Sequence, residues 1–68
     1  MNIYYVKVYS ERFKETGRLL VTAETPEAAT KEVEDHFGTK DWKAFKPVYV
    51  ARKSEKDPEF FQELPSEA

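Results

Sequence analysis

One stretch limits the folding options of this chain more than any other. Thr25-Pro26-Glu27 carries the signals that open a helix, and Gly38 carries the signal that closes it. A threonine hydroxyl can accept a hydrogen bond from one of the first helical N–H groups, which lack partners within the helix. Proline at the next position has a preset backbone angle and no N–H to waste. Glu27 then meets the positive end of the helix dipole. Between these marks Ala29, Val33, His36 and Phe37 fall in one stripe at helical spacing, while Glu27, Lys31, Glu34 and Asp35 lie elsewhere. So narrow an apolar stripe does not hold a short helix by itself; it must be laid on something.

The flanking sequence supplies strands for it to lie on. Residues 2–10 are rich in β-branched and aromatic residues and contain no Gly or Pro. Alternation puts Tyr4, Val6 and Val8 on one face and Ile3, Tyr5, Lys7 and Tyr9 on the other. Residues 11–17 are polar and end in Thr16-Gly17, which reads as a hairpin connection. Residues 18–24 form a second strand, with Leu19, Val21 and Ala23 sharing a face and Leu20 and Thr22 opposite. After the helix, residues 39–44 read as a loop containing Trp42. Residues 45–53 read as a third strand, in which Pro47 demands an edge position or a late start.

The expected fold is therefore α+β. It has β-β-α-β order, a three-stranded antiparallel sheet and one helix packed on one face. Residues 1–53 make that domain, and residues 54–68 form a C-terminal tail. Asp57-Pro58-Glu59 repeats the helix-opening pattern, so a short helix over 58–64 is expected, ended by Pro65. Its Phe60, Phe61 and Leu64 would cover the second face of the sheet, or else be offered to a groove on a partner.

Composition excludes several classes. The 68 residues allow one modest core, and ten aromatic side chains are enough to build it. There is no cysteine, hence no disulfide framework and no thiolate metal site. The first residues lack a basic region followed by an apolar run, and no stretch approaches the ~20 apolar residues of a membrane span. A cytoplasmic chain with no membrane contact is expected. The formal net charge is −2, but the charges are blocked. Residues 1–20 carry +2, 21–37 carry −4, 38–53 carry +4 and 54–68 carry −4. Such blocks produce oppositely charged surfaces on a nearly neutral molecule.

The inventory for catalysis is thin. One histidine, three serines and two glycines give no phosphate-cradling loop and no nucleophile–base set. No enzyme activity, metal or cofactor is expected. Two surfaces suit binding. One mixes rings and cations, using Tyr5, Lys7, Lys40, Trp42, Lys43 and Tyr49. Bases can stack on such rings while cations track phosphates. The other is acidic and comprises Glu24, Glu27, Glu34 and Asp35, which complement a basic cleft.

The junction Val21-Thr22-Ala23-Glu24-Thr25-Pro26-Glu27-Ala28-Ala29 resembles the strand-to-helix junction of small phage and mobile-element proteins. The phage T7-type inhibitors of bacterial RNA polymerase and the DpnD/PcfM-like family are similar here. The resemblance spans roughly residues 3–37. It implies a small β-β-α-β protein that binds and inhibits a host nucleic-acid-handling machine of RNA polymerase or CRISPR-effector (anti-CRISPR) type. The implied site of action is the cytoplasm of a bacterial host. The acidic group would then contact the host protein or nucleoprotein complex. The alternatives are a single-stranded nucleic-acid binder on the basic aromatic surface, and a homodimer paired through Tyr5, Tyr9 and Tyr49.

Overall fold

The computed structural model describes residues 1–64. In chain order they form β1 (Asn2–Ser10), β2 (Glu15–Ala23), α1 (Pro26–Phe37), β3 (Lys43–Ala44), β4 (Val48–Arg52) and β5 (Phe61–Glu63). The expected α+β class and the single helix are present. The sheet is antiparallel with five strands rather than three.

β1 is central. It pairs with β2 along its whole length, from Asn2 opposite Ala23 to Ser10 opposite Glu15. Its other edge is shared by two short strands in succession. β4 lies along Asn2–Tyr5 and β3 along Val8–Tyr9. These two are the expected third strand, broken in the middle. Pro47 sits in the break and cannot donate to the ladder, although the Phe45 N–H still reaches the Lys7 carbonyl at 2.8 Å. The strand also starts earlier than expected, since Lys43 and Ala44 belong to it and not to a loop.

The hairpin turn is shifted. Residues 11–14 make it, and Thr16 and Gly17 lie inside β2. The buried Ser10 hydroxyl accepts from the Phe13 N–H at 3.2 Å, which closes the turn. Lys14 carries the positive backbone angle, φ 52°, that reverses the chain. Gly17 serves a different need. A Cβ there would meet Val8 Cγ2 at 2.9 Å, so the missing side chain makes room for the valine opposite it.

α1 begins and ends where its signals stand. Thr25 Oγ1 accepts from the Ala28 N–H at 3.1 Å, and the Gly38 N–H donates to the Glu34 carbonyl at 2.7 Å with φ 79°. The helix lays Ala29 and Val33 on β1, β2 and β3. They close a core with Tyr4, Val6, Val8, Leu19, Val21 and Ala23. Full burial of a side chain such as Leu19 stabilises the fold by about 2 kcal/mol. Trp42 seals one end of this core, with ring centroids 5.1 Å from Phe37 and 6.3 Å from Phe13.

The expected helix over 58–64 is not formed. Asp57 instead closes a turn, accepting from the Ser54 N–H at 3.1 Å and donating its own N–H to the Ser54 carbonyl. The chain then extends as β5 along the outer edge of β2, with Val21 opposite Phe61 and Leu19 opposite Glu63. Thr22 anchors it, because its hydroxyl accepts from the Phe60 N–H at 2.8 Å. An edge of unpaired backbone groups is the stronger attraction, since a helix of seven residues is marginal by itself. Pro65 lies outside the described residues. Among the described residues the tail thus extends the sheet sideways and does not form the expected lid. Among the described residues no helix is long and apolar enough to cross a membrane.

Candidate functional site

Alternation along β1 and the observed register decide which side chains share the side of the sheet away from α1. Tyr4, Val6 and Val8 face the helix and are buried, so Ile3, Tyr5, Lys7 and Tyr9 face the other way. Their cross-strand partners on β2 are Thr22, Leu20, Arg18 and Thr16. On the opposite flank Val48 stands beside Tyr5 and Lys43 beside Tyr9. Gln62 of β5 extends the row beyond Leu20. The Cα envelope measures 38 × 27 × 16 Å, and its thinnest direction holds one helix of about 10 Å diameter and one sheet. Among the described residues no second layer covers this face.

The electrostatics of the face are one-sided. The strand residues on it include three cations, Lys7, Arg18 and Lys43, and no carboxylate. Lys7 and Arg18 are direct cross-strand partners, and Lys43 is the partner of Tyr9 on the next rung. Lys7 and Lys43 are exposed, whereas Arg18 is half-buried and engaged in further contacts within the fold. Tyr9 keeps 38% of its surface in solvent. Tyr5 is half-buried in a collar formed by Leu20 and Val48.

Of the expected ring-and-cation set, Tyr5, Lys7 and Lys43 therefore meet on one surface. Lys40 lies on its rim in the loop near Tyr9, where Glu11 and Asp41 also stand. Trp42 does not join them, since it is half-buried against Phe37. Tyr49 points to the helix side and meets Tyr4 edge-to-face at 6.1 Å. The homodimer surface of Tyr5, Tyr9 and Tyr49 is thus split between two faces. Tyr9 and Arg18 complete the actual surface. Alternation already placed Tyr9 there, while Arg18 needed the register of β2.

The acidic residues are not gathered in the same way. Glu24 follows β2, and its carbonyl accepts from the Asn2 side chain at 3.5 Å. Glu27 and Glu34 share one flank of α1, about 20° apart around the axis. Asp35 is turned about 80–100° away from them around the axis. It lines an open groove of about 610 Å³ with Glu32, His36, Glu59, Phe60 and Phe61. In that groove the His36 ring lies 4.6 Å from Phe61 and 4.9 Å from Phe37. Among the described residues no three His, Asp or Glu side chains are placed to hold a metal ion.

No family model matches the chain, and neither a curated protein nor a solved structure matches it.

Proposed function

We propose that this chain is a non-enzymatic binding module whose working surface is the helix-free face of the sheet and whose partner is a polyanion. One observation carries the reading: Lys7, Arg18 and Lys43 converge beside Tyr5 and Tyr9 on a face whose strand residues include no carboxylate. The net charge of −2 does not oppose it. Glu27, Glu32, Glu34 and Asp35 belong to α1, on the other side of the sheet from these cations, and charge segregated in this way can present a positive face on a molecule of small net charge. Heparin chromatography at low salt tests the reading. Retention of the acidic protein, lost in the double variant Lys7→Glu, Lys43→Glu, is expected. Passage of the unaltered protein without delay would overturn it.

A second reading is favoured by the acidic side of the molecule. Glu27 and Glu34 project from one flank of α1, and Glu32, Asp35 and Glu59 line the groove on the other. In this reading the chain inhibits a host nucleic-acid-handling machine by occupying a basic cleft, as its resemblance to phage inhibitors implies. Gel filtration with purified bacterial RNA polymerase tests it. Co-elution that disappears in the variant Glu27→Lys, Glu34→Lys supports it, and separate elution of the unaltered protein counts against that target.

A further inference from the structure

We infer that the polyanion is a single-stranded nucleic acid, with bases stacked on Tyr5 and Tyr9 and phosphates held at Lys7 and Lys43. The inference rests on the reading of the sheet face given above and names its ligand. Tyr5 and Tyr9 are four residues apart on one strand and share a face, so their rings are separated by roughly 13 Å. A single base cannot touch both. Two bases of one strand can, with the intervening backbone passing over Lys7, which lies midway. Lys43 stands beside Tyr9, so a phosphate adjoining the base on that ring has its own cation. The collar of Leu20 and Val48 around Tyr5 supports a flat apolar ring without demanding a particular base. Stacking of this kind is tolerant of sequence.

Two other polyanions fit less well. A duplex hides its base faces, and its major groove admits a helix or a two-stranded ribbon. The platform here is several strands wide. An acidic protein segment would satisfy the cations but would leave both tyrosines with nothing to stack on.

Fluorescence anisotropy with three labelled probes separates these cases: a twelve-residue oligothymidylate, the matching duplex, and a dodecaglutamate peptide. The single strand is expected to bind most tightly. Its log–log salt slope should be roughly −1.4, the value for two cations on a single strand. Tyr9→Leu should weaken it about tenfold without changing that slope, and Tyr9→Phe should bind like the unaltered protein. Lys43→Glu should flatten the slope. Far-UV circular dichroism checks that each variant is folded. Equal binding of oligothymidylate and dodecaglutamate, with no effect of Tyr9→Leu, would overturn the inference while leaving the polyanion reading intact. Tighter binding of the duplex would do the same. Binding of none of the three probes would overturn both.

Discussion

Lys7 and Arg18 stand directly opposite each other across the β1–β2 ladder, on the side of the sheet that α1 leaves open. Lys7 is exposed, whereas Arg18 is half-buried and makes further contacts within the fold, so Lys7 is the cation of the pair open to a ligand. Lys7→Glu is expected to move the midpoint of thermal unfolding by no more than about 2–4 °C, as an exposed surface change does, and to abolish retention on heparin. A thermal melt and one column run check both halves. A midpoint lowered by more than this would show that Lys7 is needed by the fold itself.

Gly17 illustrates a different constraint. Its missing Cβ leaves space for Val8 Cγ2, which belongs to a stiff, β-branched and fully buried side chain. Gly17→Ala is expected to cost about 1–3 kcal/mol through overpacking. Chemical denaturation should show a lower midpoint with an unchanged slope. A neutral outcome would mean that β1 and β2 separate easily at this rung.

Lys14 holds φ 52°, in the left-handed region that glycine occupies without penalty. Lys14→Gly is expected to stabilise the domain by about 1 kcal/mol, less the entropy that glycine loses on folding. The same denaturation experiment reads it. Loss of stability would indicate that the lysine side chain contributes more than its backbone strain costs.

The docking of β5 is testable through Thr22. Its hydroxyl takes the Phe60 N–H, its own N–H donates to the Phe60 carbonyl at 2.9 Å, and the Leu64 N–H reaches the Arg18 carbonyl at 2.8 Å. Thr22→Val leaves the first donor unpaired, at a cost of about 1–2 kcal/mol. Amide hydrogen exchange should accelerate at Phe60 and Leu64 well before it does at Val6 and Leu19. Uniform acceleration throughout would show that β5 opens only with the whole domain.

These particulars show where a one-dimensional reading succeeds. The helix was legible because its signals are local: Thr25, Pro26 and Gly38 act on backbone groups within one turn of themselves. The core faces of β1 and β2 were legible because alternation decides them pairwise. The turn at 11–14 was not, since Lys14 adopts an angle for which the sequence offers no glycine, while Gly17 drew attention for a role it plays in packing. β5 was hidden behind Asp57-Pro58-Glu59, whose capping grammar here closes a turn, and only the free edge of β2 decides the outcome. The candidate site divides along the same line. Tyr5, Lys7 and Tyr9 could be grouped from one strand. The mix of rings and cations already put Lys43 with Tyr5 and Lys7; Arg18 joins them only through the register of β2, Trp42 leaves the set because its ring packs on Phe37, and Tyr49 leaves it because pairing with Tyr4 turns it to the helix side.

The most direct test of the account is a residue-by-residue map of backbone amide shifts by NMR during titration with an oligothymidylate. The account predicts that the shifts concentrate at Tyr5, Lys7, Tyr9, Arg18 and Lys43, with α1 nearly silent. Shifts centred on Glu27, Glu34 and Asp35, or none at saturating oligonucleotide, would contradict it.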